Sequence, residues 1–344
     1  MWRKQKKTNG SITAVFWNIR SRTEHLSWKR STISTVRKGN KMEEIKKVLV
    51  AGRGAVGGLF GSLIEQKIGS DFAFLCDEKR KQKYDTIPYT INGVEKKYNY
   101  AVPASPYPVD LILITTKAGA FHEAAEMIRP FLKEDTILIS GLNGIESDEL
   151  LMKTFDQPVI RAISQKMDAR YQNNTLTYTQ TGELVIGMER KEQRESFERL
   201  IRFFDRIGFP YVNSKDIVHD QYSKLMLNCG INQVCAAYRI TYGKTVNDPK
   251  YRKLFIDVMK ETRDILSKYG VYITDHEIAA WVKAIEALDP DSMPSMAQDI
   301  LAERKTERDL FSGTIIRMAE EKGVSAPLNE QLYEQIEAIE KEFA

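Results

Sequence analysis

From Met42 to about residue 214, short apolar runs alternate with longer segments whose apolar residues recur at helical spacing. Such runs fit strands that are covered on both faces, and their alternation with helices predicts an open α/β sheet of parallel strands. The predicted buried strands lie at 47–51, 72–76, 110–115 and 136–140. A predicted helix follows the glycines at 52–57 and runs through about Gln66, a second lies at about 119–132, a third begins near Ile145, and the last lies at about 191–207.

Three further extended segments precede the last of these helices. They lie at 159–164, 176–179 and 183–186, and Thr181-Gly182 between the last two predicts a hairpin turn. After the helix, a short strand ending at Asn213 brings the chain to a predicted domain boundary near residue 214.

Beyond this boundary the pattern is nearly all helical. Thr306 is predicted to cap one of these helices, with Asp309 as its acidic partner in a capping-box-like role. The chain is therefore predicted to be an α/β Rossmann-type N-terminal domain, 42–214, followed by an all-α C-terminal domain, 215–344. The predicted helices lie at 216–240, 248–269 and 273–287, with two more from about 305 and about 329.

The composition bounds the class of protein. The 344 residues are enough for two domains, and the apolar fraction of 42% and charged fraction of 28% are those of an ordinary globular protein. No window approaches the roughly 20 apolar residues of a membrane span, so a cytoplasmic protein without a membrane partner is expected. Cys76, Cys229 and Cys235 form no paired motif and the four histidines are scattered, so no disulfide framework and no metal site are predicted.

The net charge of +4 hides an asymmetry. Residues 1–41 hold eleven Lys and Arg against the single acid Glu24, which leaves a net charge of −6 on the remaining 303 residues. The overall basicity is therefore no reason to expect a nucleic-acid partner. For residues 1–41 we expect a mis-assigned start upstream of Met42 or a disordered tail, with a targeting peptide and a nucleic-acid-binding arm as alternatives.

A glycine-rich loop joins the first predicted strand to the first predicted helix. Gly52, Gly54 and Gly57 form GxGxxG in the strand-to-helix context that a dinucleotide-binding loop requires. The three glycines permit a tight turn, close approach to a pyrophosphate and close packing of helix on strand, respectively. Ala55 and Val56 lie between the second and third glycines, and the N-terminus of the helix that follows would offer free N–H groups to the phosphates. The alternative is a glycine-rich turn without a ligand.

Three polar residues lie just beyond predicted strands, where an open α/β sheet places its ligands. Asp77 follows the second strand, twenty residues after Gly57, and could accept hydrogen bonds from a ribose 2′-OH while repelling the 2′-phosphate of NADP. Lys79 and Arg80 could soften that repulsion. Lys117 and Asn143 follow the next two strands; a solvated lysine and a turn-forming asparagine are the alternatives.

One face of the helix predicted at 216–240 carries Lys224, Asn228 and Asn232 at four-residue steps, while Met226 and Gly230 turn away from it. A lysine flanked by carboxamides suits a small anion with a polar carbonyl group. Glu307 is the carboxylate that we expect opposite Lys224; an exposed acid in the first turn of a helix is the alternative.

The motifs together resemble the ketopantoate reductase (2-dehydropantoate 2-reductase) family over essentially all of 42–344. The two motifs of the helical half are far more specific than the glycine loop. The residues that carry the resemblance are GRGAVGG at 52–58, TTKA at 115–118, LNG at 142–144, YSKLMLNCGIN at 222–232 and SMAQDILAERKTERD at 295–309.

The resemblance implies an NAD(P)H-dependent reduction of 2-dehydropantoate to pantoate in pantothenate and coenzyme A biosynthesis. It implies that Lys224 is the general acid, that Asn143 orients it near the nicotinamide, and that Glu307 binds the substrate hydroxyl or stabilises Lys224. It also implies that the substrate carboxylate or hydroxyl is held by Asn228, Asn232 and Ser295. A lysine at the position of Lys117 is implied to serve the NADP phosphate.

Two residues depart from the family pattern. Asp77 stands where a basic phosphate-binding residue is expected, so NADP is the family default and NAD a serious alternative. Leu142 replaces a polar residue before Asn143. The alternative functions are therefore an NAD-dependent D-2-hydroxy-acid dehydrogenase of the same family and a non-catalytic dinucleotide sensor. The expected partner is a small 2-oxo acid, with a homodimer as one alternative for the assembly.

Overall fold

The computed structural model describes residues 43–343, so the expectations for residues 1–41 lie outside the described residues. The described residues form two compact units, which divide between Tyr222 and Ser223. This division lies inside a long helix, whereas residue 214 lies in the loop before that helix. The domain limits at 214 and 215 stay a prediction.

Twelve strands and twelve α-helices occur within residues 43–343. The strands are β1 (Val48–Ala51), β2 (Phe72–Leu75), β3 (Tyr89–Ile91), β4 (Val94–Lys96), β5 (Tyr100–Ala101), β6 (Leu111–Ile114), β7 (Ile137–Ser140), β8 (Arg161–Met167), β9 (Arg170–Gln172), β10 (Thr175–Thr177), β11 (Thr181–Gly187) and β12 (Tyr211–Asn213). The helices are α1 (Ala55–Ile68), α2 (Glu78–Thr86), α3 (Phe121–Ile128), α4 (Glu146–Thr154), α5 (Arg194–Ile207), α6 (Ile217–Tyr238), α7 (Tyr242–Asn247), α8 (Pro249–Ser267), α9 (Asp275–Glu286), α10 (Ser295–Leu301), α11 (Ser312–Glu321) and α12 (Pro327–Lys341).

The largest sheet is parallel throughout and has the strand order β5-β2-β1-β6-β7. Four of these strands, β2, β1, β6 and β7, are buried at every residue. Val48 and Val50 pack into one hydrophobic core with Leu59 of α1, while Leu49 packs into a second with Phe121 of α3. Because alternate residues of a strand point to opposite faces, helices cover both faces. The predicted Rossmann-type α/β domain is confirmed.

Two smaller sheets complete the first unit. One has the order β4-β3-β10-β9 and the other the order β12-β11-β8. The latter begins beside the large sheet, where the N–H of Ile160 donates to the carbonyl of Leu138 over 2.9 Å.

The predicted hairpin turn at Thr181-Gly182 is wrong, since both residues lie inside β11. Gly182 does have a positive φ of 62°, but it serves close packing on β8, because a Cβ there would lie 2.4 Å from the carbonyl oxygen of Gln165. The turn lies instead between β9 and β10, where Asn173 and Asn174 have φ of 49° and 58°.

The second unit is helical, as predicted, but the helix expected from about 305 begins at Ser312. The capping prediction for Thr306 is wrong as well. Its N–H donates to Glu340 over 2.7 Å, while Asp309 accepts from the hydroxyl of Tyr333 over 2.7 Å. The carboxylate of Glu340, which is distant in sequence on α12, therefore takes the place of a capping partner close to Thr306.

Candidate functional site

The first and third glycines of the loop after β1 are demanded by the fold itself. Gly52 has a φ of 111°, and a Cβ there would lie 2.8 Å from the carbonyl carbon of Thr115. A Cβ on Gly57 would lie 2.0 Å from the carbonyl oxygen of Gly52. Any larger residue would push α1 away from the end of β1.

Gly54 is different, because neither conformation nor packing requires a glycine there. Its φ of −81° and ψ of −154° are extended, and a Cβ would meet nothing within 4 Å. The open side of Gly54 lies beside Ala55 and Val56, in the first turn of α1, where backbone N–H groups have no partner within the helix. This combination of open space and N–H donors fits the pyrophosphate of a dinucleotide.

Thr115 holds the glycine loop in place. Its hydroxyl lies 3.2 Å from the carbonyl oxygen of Ala51 and 3.1 Å from that of Gly52, so it can donate to either. No role was predicted for Thr115 from the sequence, although its position directly after β6, the neighbour of β1, was the available signal.

The polar residues predicted at strand ends lie along one edge of the large sheet. Asp77 follows β2, Lys117 follows β6 and Asn143 follows β7, and in a parallel sheet these carboxyl ends share an edge with the glycine loop. The β6 and β7 ends are tied together by the N–H of Gly141, which donates to Ile114 over 2.8 Å. Lys117 is exposed and Asn143 is half-buried.

Asp77 has a structural role that the sequence did not reveal. It is the N-cap of α2, and its Oδ1 accepts from the N–H of Arg80 over 2.6 Å. Its Oδ2 lies 3.3 Å from Nε of the same arginine. The carboxylate is thus both a helix cap and one half of a surface ion pair.

Arg53, between the first two glycines, is buried and caged by tyrosines. Its guanidinium carbon lies 3.6 Å from the ring centroid of Tyr84 and 4.6 Å from that of Tyr89. Nη1 donates to the hydroxyl of Tyr100, and Nη2 donates to Asn174 over 3.1 Å. These partners are neutral, and Nε is buried without a hydrogen-bond partner within residues 43–343. The sequence analysis did not single out this cation.

In the helical unit, the predicted stripe on α6 is present. Lys224 is partly buried, and Asn228 and Asn232 are only 6% and 8% exposed. Met226 is fully buried, and a Cβ on Gly230 would lie 2.8 Å from side-chain atoms of α8. The helix therefore packs against its neighbours through the face of Met226 and Gly230. Another face carries the polar stripe, and burying its polar groups costs free energy unless they form hydrogen bonds or ion pairs.

Lys224 and Glu307 are electrostatically coupled within this unit. Burial lowers the pKa of Lys224 from 10.5 to about 8, and the Glu307 carboxylate opposes that shift by favouring the charged ammonium. Such a lowered pKa lies closer to the range that suits a proton donor than the ordinary value of a lysine does.

Glu307 and Ser295 lie in irregular or terminal positions of the chain. Glu307 is partly buried and precedes a single 3-10 turn, Arg308–Leu310. Ser295 is exposed and is the first residue of α10. Within the segment between Ser295 and Glu307, Asp299 accepts a hydrogen bond from Nε of Arg304 over 2.8 Å. The sequence analysis assigned no role to this pair.

Within residues 43–343, no group of three or more His, Cys, Asp or Glu side chains could hold a metal ion. No helix in the same range is long and apolar enough to cross a membrane.

Two family models match the chain. One, described as "Ketopantoate reductase PanE/ApbA", matches residues 48–191, and another, described as "Ketopantoate reductase PanE/ApbA C terminal", matches residues 216–340. The protein named 2-dehydropantoate 2-reductase of Pyrococcus horikoshii is 25% identical over 300 residues, which are 86% of this chain and 97% of that protein.

Solved structures share the fold. A PanE/ApbA family ketopantoate reductase from Ralstonia eutropha JMP134 is 24% identical with a TM-score of 0.73, over 86% of this chain and 99% of that one. D-mandelate dehydrogenase in a ternary structure with NADH and anilino(oxo)acetate is 21% identical with a TM-score of 0.76, over the same fractions. At these identities the structures support the fold alone.

Proposed function

The chain belongs to the ketopantoate reductase family and is an oxidoreductase that acts on CH–OH groups with a nicotinamide dinucleotide, and from this premise we propose that it reduces 2-dehydropantoate to pantoate. This reaction is a step toward pantothenate and coenzyme A. The proposal is supported by a relative of that name, which the chain matches over 97% of its length.

One observation carries the proposal, namely the stripe formed by the partly buried Lys224 and the buried Asn228 and Asn232, with Glu307 electrostatically coupled to the lysine. Keeping a partly buried cation beside two buried carboxamides costs free energy, and packing alone would favour apolar residues on that helix face. A 2-oxo acid offers a carboxylate and a carbonyl oxygen that complement such groups.

The bound dinucleotide would supply the hydride for the 2-oxo carbon. We assign the proton to Nζ of Lys224, which would protonate the carbonyl oxygen as negative charge develops there. Glu307 would keep the lysine protonated or bind the substrate hydroxyl, and Asn143 would orient the lysine. The substrate carboxylate or hydroxyl would be held by Asn228, Asn232 and Ser295.

For the cofactor, the dinucleotide loop would hold the pyrophosphate at Gly52, Gly54, Ala55, Val56 and Gly57. We propose NADP as the family default and NAD as the alternative. The Asp77 carboxylate disfavours a 2′-phosphate, whereas Arg80 at 3.3 Å from it partly offsets that charge. Lys117 is proposed as a phosphate ligand.

A rate matrix tests the substrate and the cofactor together. NADPH and NADH are each combined with ketopantoate and with bulkier 2-oxo acids such as benzoylformate, and kcat/KM is measured for every pair. We expect the highest value with ketopantoate and NADPH. Undetectable turnover of ketopantoate with both cofactors would remove the proposed substrate.

Lys224→Ala tests the acid. Turnover should be abolished while the Kd of the cofactor stays within about twofold, because the lysine is assigned to the substrate and not to the dinucleotide. Lys244→Ala is the matched control, since that lysine forms an exposed surface pair with Asp248 and should leave turnover unchanged. A Lys224→Ala variant that retains most of its kcat would contradict the assignment.

The alternative function is an NAD-dependent D-2-hydroxy-acid dehydrogenase. Asp77 favours it, and a D-mandelate dehydrogenase with NADH shares the fold. Preference for NADH and benzoylformate in the rate matrix would select it. The second alternative, a non-catalytic dinucleotide sensor, requires cofactor binding without turnover of any 2-oxo acid.

Three further expectations remain proposals. These are a small 2-oxo acid as the substrate, with no nucleic-acid or membrane partner, a cytoplasmic location, and assembly as a homodimer. Sedimentation of the purified protein measures the last of them.

A further inference from the structure

Glu340, on α12, forms hydrogen bonds with the residues on both sides of Glu307. Its Oε1 accepts from the N–H of Thr306 over 2.7 Å and from the hydroxyl of Thr306 over 2.6 Å. Its Oε2 accepts from Nε of Arg308 over 3.1 Å. Thus the carboxylate uses both oxygens, one for the residue before Glu307 and one for the residue after it.

These hydrogen bonds are largely buried, and a further hydrogen bond supports them. The side chains of Glu340 and Arg308 are only 10% and 9% exposed. The hydroxyl of Thr306 also accepts from the N–H of Arg308 over 3.3 Å, so the backbone on the far side of Glu307 depends on Thr306 as well. Charge-assisted hydrogen bonds in a buried position hold geometry firmly.

The segment needs such an anchor because it has no regular structure of its own. Residues between α10 and the 3-10 turn at Arg308–Leu310 form no helix or strand. The orientation of Glu307 therefore depends on side chains from elsewhere in the chain. Glu340 lies 34 residues away from Thr306, so a change in α12 would be transmitted to this segment.

We propose that Glu340 is a positioning residue that sets the placement of the Glu307 carboxylate relative to Lys224. This inference rests on the proposed function, in which Glu307 supports the proton donor. Glu340 itself touches no reacting group in this assignment. It acts through Thr306 and Arg308.

Glu340→Gln is the direct perturbation. The amide keeps the size of the side chain but presents an NH2 group either to the donors of Thr306 or to Nε of Arg308, so one contact becomes donor against donor. Glu337→Gln is the matched control. Glu337 lies one turn earlier on α12 and pairs with the same Arg308 over 3.1 Å, without a contact to Thr306 among those described here.

The decisive readout is the titration of Lys224, followed without turnover by reductive methylation of the protein across pH and mass spectrometry of the Lys224 peptide. Because Glu307 raises the pKa of Lys224, Glu307→Gln should lower that pKa. Glu340→Gln should lower it in the same direction, and Glu337→Gln should leave it within about 0.2 units of wild type. Thr306→Val, which removes one hydrogen bond to Glu340, provides a milder variant should Glu340→Gln fail to fold.

A double variant separates positioning from general damage. In Glu307→Gln/Glu340→Gln, both the Lys224 titration and kcat should match those of Glu307→Gln alone, since Glu340 acts only through Glu307. If the two substitutions instead reduced kcat independently, so that their effects multiplied in the double variant, the inference would be overturned. An unchanged pKa of Lys224 in both Glu340→Gln and Thr306→Val would overturn it as well. Failure of the proposed function would look different, because wild type would then reduce no 2-oxo acid whatever the titration showed.

Discussion

Replacing Gly54 by alanine should abolish tight cofactor binding without harming the fold. The backbone at Gly54 has a φ of −81°, which alanine adopts readily, and the added methyl group would meet nothing within 4 Å. By reducing the freedom of the unfolded chain, such a change can add about 0.4–1 kcal/mol to the free energy of unfolding. The apo-protein should therefore be at least as stable as wild type.

Cofactor binding should respond in the opposite direction. The methyl group would occupy the open side of the loop, which the pyrophosphate needs in order to reach the N–H groups at the start of α1. Hydrogen bonds to charged groups contribute about 1.5–3 kcal/mol each, so losing one or two of them should cost roughly 3 kcal/mol, or about a hundredfold in Kd.

Gly57→Ala provides the contrast. Its Cβ would lie 2.0 Å from the carbonyl oxygen of Gly52, far inside the 3.4 Å at which ordinary contact begins. The backbone would have to move, at a cost of roughly 3 kcal/mol or more. Gly57→Ala should thus lose stability, whereas Gly54→Ala should lose only affinity.

Two assays separate these outcomes. Urea unfolding of the apo-protein measures stability, and titration of NADPH and NADH by nicotinamide fluorescence measures Kd. A Gly54→Ala variant that binds both dinucleotides with wild-type Kd would refute the assignment of this space to the pyrophosphate. Loss of stability in Gly54→Ala would refute the structural reasoning.

Further predictions concern the charged groups. Reduction should slow as pH rises, with an apparent pKa near 8 in the profile of kcat/KM, because Lys224 must be protonated. Glu307→Gln should shift this apparent pKa to lower pH, and an unchanged apparent pKa would contradict the electrostatic coupling of Glu307 to Lys224. Lys224→Met should raise the free energy of unfolding by up to ~3 kcal/mol below pH 8, because it removes a partly buried amine whose pKa falls from 10.5 to about 8 on folding. This gain should vanish as pH rises toward 10.5, and urea unfolding at several pH values measures it. Arg53→Met should weaken dinucleotide binding about tenfold, or ~1.4 kcal/mol, because it removes from the glycine loop a cation whose hydrogen-bond partners are neutral. An unchanged Kd together with a lower Tm would assign Arg53 a structural role instead.

The sequence by itself determined the architecture of the first unit and the helical character of the second. Four buried parallel strands and the loop at Gly52 to Gly57 follow from short apolar runs and glycine spacing, which are local properties of the chain. The stripe of Lys224, Asn228 and Asn232 follows equally from the helical period. Each of these features is set by residues that are close in sequence.

Only the tertiary structure decided what distant residues do to one another. Gly182 packs on β8 where a turn was expected. Arg53 is buried by tyrosines from α2, β3 and β5, and Glu340 reaches back from α12 to Thr306. Such contacts depend on where separate elements pack, and no local spacing encodes that. The loop at Gly52 to Gly57 was thus visible in the sequence, but the groups that hold Arg53 and Glu307 in place were not.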